Sequence, residues 1–146
     1  MDTLLNVLHV VTAVFLVGPM AILPMTAMRA VRAGEWSMVA TLARSTRVFS
    51  LLSLLVAVLG FGVVGTADER FDLSVTTGWV LASIVLYLVA LALSLALVVP
   101  SMTTAAARLE EGRGDAARAV YGRIAAGSGI VSLLLVAVTV LMVWKP

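Results

Sequence analysis

Residues 73–107 have the sequence LSVTTGWVLASIVLYLVALALSLALVVPSMTTAAA and contain no charged side chain. A bilayer with a hydrocarbon core about 30 Å thick is crossed by roughly 20 apolar residues in a helix. These residues therefore predict a membrane-spanning helix. Because the stretch exceeds that length, part of it must bend or leave the hydrocarbon.

Three further uncharged stretches are long enough to cross a bilayer, namely residues 3–28, 48–67 and 124–144. Together with residues 73–107 they predict four spans, at about residues 4–24, 47–66, 79–99 and 124–144. The fold class that follows is all-α: an integral membrane four-helix bundle made of two helical hairpins with cytoplasmic helix extensions. Residues 1–146 then form a single transmembrane domain.

The composition excludes most other classes of protein. Hydrophobic residues make up 62% of the chain and charged residues 12%, which is too apolar for a water-soluble domain. The chain has no cysteine, so disulfides, thiolate metal sites and cysteine nucleophiles are excluded. The net charge of +2 comes from arginines at the predicted membrane edges, which favours anionic lipid as a partner and not nucleic acid.

The basic residues indicate how the bundle is oriented. Eight of the ten lie in the two connections that follow the first and third spans, whereas the connection between the second and third spans carries three acids and one arginine. Because basic residues mark the cytoplasmic side, we predict a multi-pass membrane protein with both termini outside. The residues expected at the membrane interface are Arg29, Arg32, Arg44, Arg47, Arg108, Arg118, Arg123, Trp36, Trp79 and Trp144.

Prolines and glycines predict where the helices bend and end. Pro100 removes a backbone donor inside the longest uncharged stretch, so we expect a kink there. Pro19 and Pro24 predict the same disturbance in the first helix, which is expected to stop at Gly34.

The two hairpins share features that suggest a tandem duplication. Residues 24–52 and 100–134 each contain a proline, a glycine turn, spaced arginines and a serine-led apolar run, an alignment that places Pro24 opposite Pro100. The alternative explanation is that any two membrane hairpins have a similar composition. In the second hairpin, Asp115 follows the turn Gly112-Arg113-Gly114 and is a candidate helix N-cap.

His9 is the only histidine of the chain and lies in the outer third of the first predicted span. At helical spacing it shares a face with Thr12, Leu16 and Met20, and ionisable groups within spans usually face the bundle interior. A neutral imidazole there can tie two helices together by a hydrogen bond, bind a haem or a quinone-like molecule, or carry protons. The sequence favours the first role, and His9 is also the leading candidate for a cofactor-binding residue.

Tyr87 is the second candidate for binding a small molecule. It shares a face of the third span with Ser83 and Ser94, and because the first and third helices run in the same direction, it is expected near the depth of His9. The hydroxyl-bearing residues on one face of the fourth span are Ser128, Ser132 and Thr139. A polar layer in the outer leaflet is therefore predicted. Helix packing is its favoured role, and binding of a small molecule is the alternative.

The small residues and the methionines are expected to serve packing. Gly60, Gly62 and Gly65, and the small side chains of Ser50 and Ser53, permit close approach of helices. Methionines can bind copper(I) or haem iron, but no second histidine and no cysteine accompanies the seven in this chain, so adaptable packing is favoured. No Walker loop, zinc motif, nucleophile elbow or carboxylate pair occurs, so no catalytic residue and no metal site is predicted.

Residues 8–18, LHVVTAVFLVG, resemble the opening helix of small bacterial four-helix membrane proteins that are grouped as predicted integral membrane proteins of unknown function. The four-span layout, the basic hairpins and the length extend this resemblance over essentially the whole chain. More remotely, a Leu-His pair followed by small and aromatic residues and a glycine is similar to the first helix of copper-resistance D proteins and of membrane protoporphyrinogen oxidases. The latter resemblance implies haem held by histidines on more than one helix, of which this chain carries His9 alone.

Three functional hypotheses follow. The leading one is a non-enzymatic membrane protein that acts as an accessory or interaction subunit of a membrane complex. The alternative is a haem-binding or redox membrane protein that uses His9, and a further alternative is a carrier for a small or lipid-like molecule. The absence of a cofactor is favoured over haem, and the predicted partners are the lipid bilayer and either other membrane subunits or a second copy of the chain.

Overall fold

The structure of the chain is a computed structural model that describes residues 2–66 and 74–146. All regular structure in these two ranges is helical, which confirms the all-α prediction. The predicted outer loop, with Asp68, Glu69, Arg70 and Asp72, lies outside the described residues.

The helices form four long units, each apolar and long enough to cross a membrane. The first helix consists of α1 (Asp2–Thr12), a π-helical turn (Ala13–Val17) and α2 (Gly18–Ala33), and the second helix is α3 (Trp36–Gly65). The third helix consists of α4 (Gly78–Leu93), a second π-helical turn (Ser94–Val98) and α5 (Val99–Glu110). The fourth helix consists of α6 (Gly114–Ala119) and α7 (Tyr121–Trp144).

The four helices form a ring in which neighbours run antiparallel. The first helix packs against α3, α3 packs against α5, and α4 packs against α7. The ring closes where α2 contacts α7. The two predicted hairpins thus contact each other twice, through the second and third helices and through the first and fourth helices. This arrangement is the predicted four-helix bundle.

A core of fully buried side chains lies toward the end of the bundle that carries the arginines. We call this end the basic end; the turns at residues 34–35 and 111–113 belong to it. The side chains with no exposed surface here include Met20, Ala27, Val39, Met102, Ala105 and Ile124. Alanines let the helices approach closely, which matters in a bilayer because lipid supplies no hydrophobic force between helices. The flexible side chains of Met20 and Met102 fill the space that remains, as the packing role predicts.

Each π-helical turn stands just ahead of a proline. Ala13–Val17 ends two residues before Pro19, and Ser94–Val98 ends two residues before Pro100. Proline has no N–H and its ring clashes with the carbonyl one turn earlier, whereas a π turn widens the helix at that point. The disturbance predicted at Pro19 and Pro100 therefore takes the form of a π turn, through which both helices continue. The prediction for Pro24 is wrong in this respect, because Pro24 lies inside α2 with no π turn directly ahead of it. The structural match between the hairpins pairs Pro19, and not Pro24, with Pro100; the duplication itself stays a prediction.

Two glycines end helices at the basic end. Gly34 and Gly112 both have a φ of +73°, in the left-handed region that glycine adopts without steric penalty. In each case the next N–H donates to a carbonyl five residues back, from Glu35 to Ala30 at 3.0 Å and from Arg113 to Arg108 at 2.8 Å. The predicted stop of the first helix at Gly34 is confirmed.

The prediction that Asp115 caps a helix is wrong. Helix α6 begins at Gly114, so Asp115 already lies in its first turn, and the capping position is Arg113, which makes no side-chain cap. The reason is the positive φ of Gly112, which reverses the chain within a short turn after α5. The next helix, α6, can therefore begin at Gly114, one residue before Asp115. In the first turn, the Asp115 carboxylate still interacts favourably with the helix dipole.

Candidate functional site

One group of polar side chains inside the bundle meets on one face of α3. Ser50 and Ser53 are fully buried and lie almost one helical turn apart, and the Val56 carbonyl continues the same face. Side chains from the first and third helices hydrogen-bond to this face. We call the resulting group the polar seam; its members are His9, Ser50, Ser53, Tyr87 and Ser94.

His9 reaches α3 from the first helix. Its Nδ1 lies 2.9 Å from the carbonyl oxygen of Val56, so Nδ1 carries the proton and donates it. The ring packs on Gly60, where an added Cβ would lie 2.9 Å from His9 Cε1. The predicted close approach at Gly60 is therefore confirmed, and glycine is what allows it. In the neutral imidazole, Nε2 remains as an acceptor or a metal ligand.

Tyr87 reaches α3 from the third helix. Its hydroxyl oxygen lies 2.7 Å from Ser53 Oγ, and Ser53 donates to the Ser50 carbonyl at 2.6 Å. Because the Ser53 proton is directed at that carbonyl, Tyr87 is the donor to Ser53. The Tyr87 hydroxyl is thus engaged with protein, which agrees with a packing role.

Ser50 and Ser94 form a second link between α3 and the third helix. Their Oγ atoms are 2.8 Å apart and both side chains are buried. Ser94 is the first residue of the π turn that precedes Pro100. Together with the contacts of His9 and Tyr87, this link ties the first and third helices to three neighbouring positions of α3, residues 50, 53 and 56.

The sequence points to His9 and Tyr87 but assigns Ser50 and Ser53 to close packing only. In the structure, His9 and Tyr87 both hydrogen-bond to α3. The residues that they contact there, Val56 and Ser53, are three positions apart. No local signal in the sequence pairs these serines with their partners on the third helix, because the pairing depends on which helix each serine faces.

Hydroxyls of the fourth helix take no part in the polar seam. Ser128 donates to the Ala125 carbonyl and Thr139 donates to the Leu135 carbonyl, so both bond within their own helix. Ser132 Oγ is buried and has no hydrogen-bond partner in the described part of the chain. The hydrogen bonds of the polar seam therefore join the first three helices, and the expected contribution of Thr139 is not observed.

A metal or haem site at His9 would need further ligands. No cluster of three or more His, Cys, Asp or Glu side chains occurs within residues 2–66 and 74–146. Met20 lies on the same helix, 11 residues beyond His9 and therefore about 16 Å along the axis. Met20 and His9 cannot bind one iron atom. The polar seam thus offers one axial haem ligand, His9 Nε2.

The arginines predicted at the membrane interface all lie at the basic end. The exposed ones are Arg29, Arg32, Arg44, Arg47, Arg118 and Arg123. Arg108 is partly buried and donates to the Ala116 carbonyl at 2.7 Å, which ties α5 to α6. Trp36 is exposed at this end, and Trp79 and Trp144 lie toward the opposite end. Contact of these side chains with lipid headgroups stays a prediction.

Similarity to known proteins agrees with this architecture. No curated protein and no solved structure matches the chain. Residues 3–146 match the family described as "Predicted integral membrane protein (DUF2269)". That match includes nearly the whole chain and all four membrane-length helices, and it confirms the resemblance carried by residues 8–18. The chain therefore belongs to DUF2269, a family of predicted integral membrane proteins.

Proposed function

We propose that this protein is a non-enzymatic subunit of a membrane complex. It docks onto another apolar membrane helix, from a different subunit or a second copy, through residues 3–17, which we call the docking segment. The observation that carries this proposal is the burial pattern of the first helix. None of the residues of the docking segment is buried, whereas α2, which continues the same helix, has five buried residues.

The docking segment is packed on one side only. Leu5, His9 and Thr12 are partly buried, and the main contacts of α1 within the chain are with α3. The large apolar side chains that remain exposed are Leu4, Val7, Leu8, Val10, Val11, Val14 and Phe15. Most of them follow each other at intervals of three and four residues, the spacing by which one helix packs against another.

The absence of cysteine makes this proposal testable by single introduced thiols. Leu8→Cys and Phe15→Cys place a thiol on the docking segment, and Leu133→Cys is a matched control in α7, where Leu133 is 72% exposed. After each thiol is labelled with a benzophenone maleimide, photo-cross-linking in native membranes is expected to trap the two docking-segment variants in a larger protein adduct and to leave the Leu133 variant uncross-linked. The proposal would be contradicted if none of the three variants formed a cross-link and if the protein purified in mild detergent, at native expression, as a monomer without partners.

A second candidate function is haem binding through His9. The observation that favours it is the hydrogen bond from His9 Nδ1 to the Val56 carbonyl. Histidines that ligate a metal through one ring nitrogen commonly donate the other N–H to a carbonyl, which fixes the tautomer and the ring orientation. Haem would supply redox chemistry, and His9 would supply one axial ligand. Because the chain has one histidine, a second imidazole would have to come from another chain.

The visible absorption spectrum tests this second candidate. Protein purified after haem supply is expected to show a Soret band that His9→Ala abolishes and Tyr87→Phe retains. The Tyr87 variant is the control because it loses a polar group of the same seam without losing a metal ligand. If no Soret band forms, or if His9→Ala leaves it unchanged, haem binding by His9 is rejected.

We propose further that the protein lies in the bacterial plasma membrane with the basic end in the cytoplasm and both termini outside. The support is the asymmetry of arginines between the two ends. An impermeant thiol reagent added to intact cells is expected to label Lys145→Cys and to spare Ser37→Cys, which is exposed at the basic end. The opposite labelling pattern would reverse the proposed orientation.

A further inference from the structure

We propose that the first and fourth helices form a binding site for an anionic phospholipid at the basic end, with the lipid phosphate held by Arg29 and Arg32. At its centre is a cation–π contact, in which the guanidinium carbon of Arg32 lies 4.9 Å from the centroid of the Tyr121 ring. This contact crosses from α2 to α7. It places the Arg32 face of α2 beside the fourth helix and orients a guanidinium that remains exposed.

Positive charge is in surplus around this contact. The two connections at the basic end contain eight arginines and four carboxylates, a net charge of +4. Glu111 is already paired with Arg113 at 2.9 Å, and Arg108 is bonded to the Ala116 carbonyl. Arg29 and Arg32 make no ion pair in the described part of the molecule. Their guanidinium donors suit a phosphate, which two arginines can hold by charge-assisted hydrogen bonds.

The same face of α2 continues from the arginines into apolar surface. Ile22, Met25, Arg29 and Arg32 follow each other at intervals of three and four residues, and all four side chains are exposed. Arg29 and Arg32 are about 4.5 Å apart along the helix axis, close enough for both to reach one phosphate. The acyl chains can then run along Met25 and Ile22 toward the bilayer centre. A surface that is basic at one end and apolar along the rest fits a phospholipid and not a free anion.

The fourth helix adds positive charge on its own side of this contact. Arg118, three residues before Tyr121, is exposed and adds a further positive charge. Basic pockets between helices at the edge of a membrane are typical sites for anionic lipid headgroups.

A matched pair of arginines on α3 provides the control. Arg44 and Arg47 have the same spacing as Arg29 and Arg32, and both are exposed at the same end. In the described residues the cation–π contact is made by Arg32 and not by this pair. Replacing either pair by glutamine removes the same amount of charge, so the difference between them isolates the site from general attraction to lipid.

The experiment uses the full chain in vesicles with equal amounts of phosphatidylethanolamine and phosphatidylglycerol. The protein is then released in mild detergent and its retained lipids are identified by native mass spectrometry. Phosphatidylglycerol is expected to be enriched on the wild-type protein. The R29Q/R32Q variant should lose that enrichment by about fivefold for each arginine, whereas R44Q/R47Q should change it by less than about twofold.

Tyr121 gives an independent measurement in case the double arginine variant fails to fold. Tyr121→Leu should reduce the enrichment several-fold because it removes the ring under Arg32, and Tyr121→Phe should leave it unchanged because it keeps the ring. Inorganic phosphate at millimolar concentration should not displace the lipid. Equal loss from both arginine pairs, equal behaviour of the two Tyr121 variants, displacement by inorganic phosphate, or no enrichment on the wild type would each overturn the proposal.

Discussion

At the basic end the helices share a core of fully buried side chains, whereas in the opposite half the first helix has no buried residue between Thr3 and Val17. The basic end is packed by alanines, valines and two methionines. The opposite half of the first helix is attached to α3 by the hydrogen bond of His9 to the Val56 carbonyl and by contact with Gly60. One helix is therefore held by two different physical means along its length.

This difference shows which half of the first helix contributes to stability and which half remains exposed. In a bilayer, apolar burial by itself brings little, so close packing of small and flexible side chains must hold the basic end together. Hydrogen bonds between membrane helices contribute only about 0.6 to 1.7 kcal/mol each. The basic end therefore sets the stability, and the proposed docking of residues 3–17 would leave its core intact.

The largest effect on stability is expected from shortening a side chain in the buried core. Met102 has no exposed surface, so Met102→Ala should lower the free energy of unfolding by about 2 to 4 kcal/mol through lost contacts and a residual cavity. Met25→Ala removes the same atoms from an exposed position and should cost less than about 0.5 kcal/mol. Unfolding of both variants in detergent by titration with denaturing detergent measures the difference. Equal losses would mean that the basic end is not a packed core.

A second effect is expected where His9 crosses α3. In Gly60→Ala, the new Cβ would lie 2.9 Å from His9 Cε1, so the ring must move and the free energy of unfolding should fall by about 1 to 2 kcal/mol. Gly65→Ala is the control, because nothing lies within 4 Å of its Cβ position. The same unfolding titration applies. In a His9→Ala background there is no ring to clash with, so Gly60→Ala should cost nothing further relative to His9→Ala alone. A loss that persists in that background would show another cause.

The bond between Tyr87 and Ser53 should produce a smaller effect. Tyr87→Phe and Ser53→Ala each remove one partner of the 2.7 Å hydrogen bond, and each should lower the free energy of unfolding by about 0.6 to 1.7 kcal/mol. Because both changes break one interaction, the double variant should lose less than the sum of the two single losses. Strict additivity in this double-mutant cycle would mean that the hydroxyls do not interact.

The smallest effect, and one of opposite sign, is expected at Ser132. Its hydroxyl is buried without a hydrogen-bond partner in the described residues, so Ser132→Ala should leave the stability unchanged or raise it by about 0.5 kcal/mol. Ser128→Ala, which breaks a hydrogen bond to the Ala125 carbonyl, should lower the stability slightly. Thermal unfolding of the two variants side by side tests the sign. A clear loss for Ser132→Ala would reveal a partner for this hydroxyl.

Much of the fold follows from local features of the sequence. The number of helices follows from uncharged stretches of membrane length, and the stop at Gly34 follows from glycine's tolerance of positive φ. Asp115 shows the limit of such reasoning, because a residue preference does not fix the capping position when a glycine turn shifts the helix start. The prolines are an intermediate case: the disturbed positions are predictable, but the π turns that accommodate them are not.

The candidate site was less predictable. His9 and Tyr87 stand out because polar groups are rare in apolar helices, whereas Ser50, Ser53 and Ser94 are small enough to pass as packing residues. Their role depends on which helix each one faces. The contact between Arg32 and Tyr121 was equally unpredictable, because nothing in the sequence around either residue indicates the other.

The sequence by itself determined that the chain is a membrane protein of four helices with eight of its nine arginines at one end, because chain length, hydropathy and charge act on each segment separately. Only the tertiary structure decided that the polar seam forms on α3, that the docking segment has no buried residue, and that α2 meets the fourth helix through Arg32. The physical reason is that these helices are apolar on nearly every side. A helix in lipid need not show a polar face, so its sequence does not reveal which side packs against a neighbour.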